Sequence, residues 1–117
     1  MIPVERWRWF GDAGHFICAY RCKFHLCTQV GKFLISTVGK MAALEAPPNS
    51  GTYEEIGCFR LYETLVFKLG KERCSGNACN CGLPRPSDWC EIDGNGYNNA
   101  GDANKGHLEL CRKYAKV

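Results

Sequence analysis

The chain has 117 residues, a mass of 13.1 kDa and a formal net charge of +3; 45% of its residues are hydrophobic and 23% charged. Such a composition excludes a disordered chain, a coiled coil and a collagen-like repeat, and no apolar run approaches the roughly 20 residues of a membrane helix. The length sets one domain over residues 1–117, and the departure from ordinary globular usage is nine cysteines.

Residues 1–14 are basic and aromatic. In a short strand, Trp7 and Trp9 share one face and Arg6 and Arg8 the other. Residues 1–44 hold six basic groups against two acidic ones, a net of +4, and residues 45–117 hold nine against ten. Arg6, Trp7, Arg8, Trp9, Arg21 and Lys23 are therefore the candidate partner contacts. A core-docked tryptophan pair beside a solvated basic face is the plainer reading. The absence of the roughly 7–15-residue apolar stretch of a secretory signal points to a cytoplasmic location. In that reducing compartment, cysteines more often reflect metal ligands than disulfides.

Three strands are expected next, over His15–Cys22, Phe24–Val30 and Phe33–Val38. Gly31-Lys32 makes a two-residue turn of type II′ between the last two. Phe24, Leu26, Thr28 and Val30 alternate with His25, Cys27 and Gln29, and Phe33, Ile35 and Thr37 alternate with Leu34, Ser36 and Val38. Met41–Ala46 reads as one helical turn, ended by a Pro47-Pro48-Asn49-Ser50-Gly51 loop. Residues 58–69 read as a long strand, with Phe59, Leu61, Glu63, Leu65, Phe67 and Leu69 in one row, where Glu63 is a carboxylate among apolar neighbours.

Residues 70–101 are rich in Gly, Asn, Pro, Cys and Ser and read as a long loop that needs something to hold it. Within it, Asp93-Gly-Asn95-Gly-Tyr97-Asn98-Asn99 lacks the Gly and Glu that a calcium loop requires, so it reads as turn chemistry. Residues 102–115 are the one clear helix, with Asp102 as N-cap and Ala103, His107, Leu110, Cys111 and Tyr114 on one face. Gly106 weakens that helix. Gly-Lys at 31–32, 39–40 and 70–71 lacks the rest of a phosphate-binding loop, so these are turns. The expected fold is α+β, a small antiparallel sheet of three or four strands packed against the C-terminal helix, with a zinc-stabilised loop.

The strongest chemical signal joins Cys74, Cys79 and Cys81 to His107 and Cys111. The first three sit in a tight Gly/Asn knuckle. His107 and Cys111, four residues apart on a helix, share a face. Two ligands from a loop and two from a helix build a tetrahedral Zn2+ site. Cys79 and Cys81 compete for the second loop position, and Cys90 could replace either. The competing reading makes His107 and Cys111 core residues of an amphipathic helix. His15, Cys22 and His25, with Cys18, Cys27 and Cys58 nearby, form a second ligand set; in a regular strand Cys22 and His25 point to opposite faces and converge only if the chain turns there. A Cys–His pair in that group, oriented by Glu54, Glu55 or Glu63, is the one enzyme-like feature, and no oxyanion motif accompanies it.

Gly-His-Phe-Ile (14–17), Leu-Ile-Ser-Thr-Val-Gly (34–39), Tyr-Glu-Thr-Leu-Val-Phe (62–67) and Gly-His-Leu-Glu-Leu-Cys (106–111) resemble stretches of small uncharacterised cysteine-rich, zinc-binding proteins encoded by bacteriophages. The resemblance spans roughly residues 7–114 and carries no catalytic residue. It implies a viral accessory protein in the cytoplasm of a bacterial host, acting by binding a host macromolecule, some relatives of this kind blocking defence systems. Together the residues and the resemblance lead to a non-enzymatic zinc protein with a protein partner. A sequence-tolerant nucleic-acid binder is the first alternative and a zinc- or Cys/His-dependent hydrolase the second.

Overall fold

The computed structural model describes residues 1–10, 21–43, 51–56, 59–73, 84–86 and 90–117. Of the strand expected over His15–Cys22 only Arg21 and Cys22 fall among them, and the knuckle of residues 74–82 lies outside them. A short 3-10 turn, Val4–Arg6, leads into β1 (Arg8–Phe10). Then come β2 (Cys22–Val30), β3 (Phe33–Ala42), β4 (Tyr53–Glu54), β5 (Tyr62–Arg73), β6 (Pro84–Pro86), β7 (Asp93–Tyr97) and α1 (Ala100–Ala115). β1, β2, β3, β5 and β7 lie side by side, all antiparallel, and β4 pairs with the end of β3 to complete a six-stranded sheet. β6 pairs with the far end of β5. Among the described residues, no helix is long and apolar enough to cross a membrane.

The β2–β3 hairpin forms where alternation and turn chemistry place it. Gly31 has φ 59 and Lys32 is not among the residues of positive φ, the signs a type II′ turn demands. Thr28 faces Ile35 and Leu26 faces Thr37 across the pair, and Thr37 faces Thr64 on β5. Period-2 alternation then gives the sheet two distinct faces. One carries Val30, Ile35 and Val66, each 0% exposed, under Cys111, Tyr114 and Ala115 of α1 and Trp7 of the N-terminal segment. Burial of each of those three aliphatic side chains is worth about 1.5–3 kcal/mol. The far face carries Cys27, Leu34, Val38 and Phe67, with Phe10 and Leu65 packed against them.

Five expectations need correction. Gly39-Lys40 and Gly70-Lys71, expected as turns, lie inside β3 and β5. The sheet has more than three or four strands, because Asp93–Tyr97 pairs with Tyr62–Val66 of β5 and is strand, not turn. Its glycines permit this: a Cβ at Gly94 would lie 2.9 Å from the Thr64 carbonyl oxygen, so only bare backbone approaches β5 this closely. The strand expected from residue 58 begins at Tyr62; Phe59 has φ 58 and is 84% exposed, outside the apolar row. Met41 and Ala42 belong to β3, where they pair with β4, and not to a helical turn. The N-cap of α1 is Asn99, whose side-chain oxygen accepts from the Asp102 N–H at 2.8 Å, while Asp102 lies in the first turn.

Candidate functional site

The helix expected to carry metal ligands does bring His107 and Cys111 to one face, and both are fully buried against the sheet. His107 stands over a row of threonines. Its Nε2 lies 2.8 Å from the Thr28 hydroxyl and its Nδ1 lies 2.7 Å from the Thr37 hydroxyl, which in turn bonds the Thr64 hydroxyl at 2.5 Å. A neutral imidazole has one N–H to donate and one lone pair to accept with, and two hydroxyls satisfy both in either tautomer. Burial pushes the His107 pKa down to about 4, so the ring is neutral at pH 7. Burial also pushes the Cys111 thiol up to about 12, offset in part by the Thr28 hydroxyl, which makes it inert as a nucleophile.

In this geometry neither ring nitrogen of His107 has a lone pair left for a metal. Cys74, Cys79 and Cys81 lie outside the described residues, and Cys90 is exposed. Among the described residues no three His, Cys, Asp or Glu side chains gather as a metal site.

Of the second cluster, His15, Cys18 and Cys58 lie outside the described residues. Cys22 and His25 do come to one side of the sheet. Lys40 adopts φ 52 near the end of β3, and beyond it Met41 and its partner Cys22 pack with the far-face cluster that holds Cys27. The His25 ring turns back so that its Nε2 lies 2.7 Å from the Cys22 carbonyl oxygen. His25, Val38 and Glu63 fall in one cross-strand row over β2, β3 and β5.

Of the six candidate partner contacts, Trp7 is buried, Arg21 half-buried, and Arg6, Arg8, Trp9 and Lys23 are exposed. Trp7 is buried and donates from Nε1 to the Ile2 carbonyl at 3.1 Å, so it is a core residue. Arg21 is held by the Glu54 carboxylate at 2.9 Å and the Ala42 carbonyl at 2.8 Å. Lys23 sits over the Tyr53 ring, 5.9 Å from its centroid. Trp9, by contrast, is 50% exposed, its ring 6.0 Å from Trp7 and 6.2 Å from His107. Arg8 points to the far face, 5.8 Å above the Phe10 ring. Arg6 and Arg8 together line a shallow pocket of about 290 Å³ with Ile2, Gln29 and Gly31 beside the hairpin turn. Among the described residues neither arginine has a carboxylate partner. The expected partition of tryptophans and arginines between opposite faces holds for Trp9 and Arg8.

One feature escapes sequence reasoning. A cleft of about 610 Å³ opens on the far face where Gly94 and Gly96 lie opposite Leu65 and Glu63, walled by Ile56, Arg60 and Glu91. Burial, and secondarily the Glu91 charge, hold the Glu63 carboxyl above the usual range. The one signal in the sequence is the carboxylate of Glu63 in an apolar row; the glycines across from it show only once β7 is paired. Compared with protein-family models, curated proteins and solved structures, the chain matches none.

Proposed function

We propose that this chain is a non-enzymatic binding protein that engages a macromolecular partner, a protein, through the β1 edge of its sheet. The observation that carries the reading is the group of exposed side chains at the β1 edge: Arg8 and Trp9 on β1 and Arg6 in the turn before it are exposed, whereas Trp7 and Arg21 are bonded within the fold. Half-exposed tryptophan and arginine are the residue types on which interfaces most often depend. The sealed, neutral His107 and the protonated Cys111 favour binding over catalysis as the reading of the helix. In the setting that the bacteriophage resemblance implies, the partner is a host macromolecule in the bacterial cytoplasm.

Zinc enters this reading through Cys74, Cys79 and Cys81, whose thiolates would tie the knuckle and stabilise it as folding energy. Native mass spectrometry of purified protein gives the metal stoichiometry directly. One zinc that is lost on chelation, with α1 still helical, fits a knuckle site that leaves His107 in its threonine row. Loss of the whole fold would instead tie His107 to the metal.

The binding surface is tested by capture from a bacterial extract with wild-type protein and with the Arg6→Glu/Arg8→Glu/Trp9→Ala variant, followed by titration of the recovered protein in purified form. The expected result is a partner retained by the first and lost by the second. A partner retained equally by both removes the β1 edge as the contact surface.

A further inference from the structure

Resting on that reading, we infer that the β1 edge takes an extended acidic segment of the partner as an added strand, with acidic and apolar residues in alternation. β1 is the last strand of the sheet on its side, and among the described residues nothing pairs with its outer edge. An edge strand presents unpaired backbone groups, and an extended peptide satisfies them by adding a strand, with alternate side chains supplying specificity.

The two sides of β1 differ in chemistry, and that difference sets the pattern. Side chains of an added strand point alternately to the two faces of the sheet. On the far face they meet Arg8, with Arg6 beside it in the same shallow pocket. Guanidinium groups favour carboxylates, to which they donate two parallel hydrogen bonds. On the α1 face they meet the half-exposed ring of Trp9, which covers apolar groups. The partner segment is therefore acidic toward one face and apolar toward the other.

A nucleic acid fits this surface less well. Arg21 is bonded to Glu54, and Lys23 lies on β2 beyond the residues that pair with β1, leaving two arginines at the pocket. Two phosphate contacts give a salt slope of only about −2, far below that of a protein that tracks a backbone.

The probes are a short end-capped peptide alternating Glu and Val, its Lys–Val counterpart, and oligothymidylate. Each is titrated into the full-length protein while backbone amide shifts are followed. The expected result is that only the Glu–Val peptide moves the amides of Arg8, Trp9 and Phe10, and that Arg6→Glu and Arg8→Glu each weaken it roughly tenfold. Arg8→Gln weakens it less, and unchanged shifts elsewhere in each variant show that the fold is intact. Equal binding of the Lys–Val peptide, or shifts at β1 with oligothymidylate alone, overturns the acidic-strand inference. If no probe moves these amides while the captured partner still depends on Arg6, Arg8 and Trp9, the inference falls and the binding surface stands. If the captured partner is also indifferent to them, both fall.

Discussion

The α1 face of the sheet and the β1 edge draw on overlapping residue types and put them to opposite uses. Under α1, His107, Thr28, Thr37 and Thr64 are each 0% exposed, and every ring nitrogen and threonine oxygen of the row has a partner. At the edge, Arg6, Arg8 and Trp9 keep polar or aromatic surface in reach of solvent. Trp7 and Trp9, two residues apart, fall on either side of this division: one donates inward to Ile2, the other stays half-exposed. Residue chemistry alone does not mark a functional site. What matters is whether the fold has already satisfied it. A buried polar group that is fully paired holds the fold, and one left outward with its bonding capacity free is available to a partner.

Removing the centre of the sealed row should have the largest effect. His107→Ala leaves a cavity between helix and sheet and strips a partner from Thr28 and Thr37. It is expected to cost about 3–5 kcal/mol in denaturant unfolding, from the lost packing and the two lost hydrogen bonds together. A cost under about 1 kcal/mol would mean that the row can close without the ring.

The same residue makes stability depend on pH. The folded-state pKa of about 4 lies below the ordinary histidine value of 6.5, so the unfolded chain binds the extra proton first. The contribution of neutral His107 is complete above about 6.5, falls as pH drops toward 4, and levels off below it, amounting to about 3 kcal/mol. Urea midpoints taken across that window should show the slope in wild-type protein and lose most of it in His107→Leu. An equal slope in both would assign the acid sensitivity to carboxylates.

Gly106→Ala sets helix propensity against packing. Alanine is the better helix former by about 1 kcal/mol. A Cβ at Gly106, however, would run into the Tyr97 ring, so the ring or α1 must shift. Overpacking of this kind costs about 1–3 kcal/mol, and a net loss of stability is expected. A gain in melting temperature would show that Tyr97 swings aside freely, and that α1 is less tightly seated on β7 than its burial implies.

These cases also show what the sequence could and could not reveal. The β2–β3 hairpin was legible because strict alternation and Gly31-Lys32 agree, and α1 because its apolar residues recur at helical spacing. β7 was not: Asp93-Gly94-Asn95-Gly96-Tyr97 carries no apolar alternation and only Tyr97 as a strand-forming residue, and its extended form comes from pairing with β5. Gly106 reads in the sequence as a weakness of the helix, whereas in the fold it is the seat for Tyr97. Asn99 and Asp102 are both good caps three residues apart, and the sequence does not decide between them. Asn99→Ala is accordingly expected to cost about 1 kcal/mol and Asp102→Ala less, by thermal melting. At the candidate contacts, residue type and strand period placed Trp9 and Arg8 on opposite faces. Whether Arg21 meets a partner or Glu54 depends on residues 33 positions apart, which no local pattern reports.

The smallest expected effect on stability separates the two regions most cleanly. Arg8→Ala removes an exposed side chain that has no carboxylate partner among the described residues and that lies over the Phe10 ring of its own strand. A surface change of this kind should shift unfolding by no more than about 0.5 kcal/mol. Its effect on partner affinity should nonetheless exceed that of any equally mild substitution elsewhere on the surface, such as removal of the exposed Lys113–Asp93 pair, which is worth under about 1 kcal/mol to the fold. Parallel melting curves and partner titrations of Arg8→Ala and Lys113→Ala decide it. Stability retained and binding lost in the first, with both retained in the second, is the pattern of a working edge beside a structural face. If Arg8→Ala destabilises as much as a core change, Arg8 belongs with Trp7 on the structural side, and the edge loses half of its basic pair.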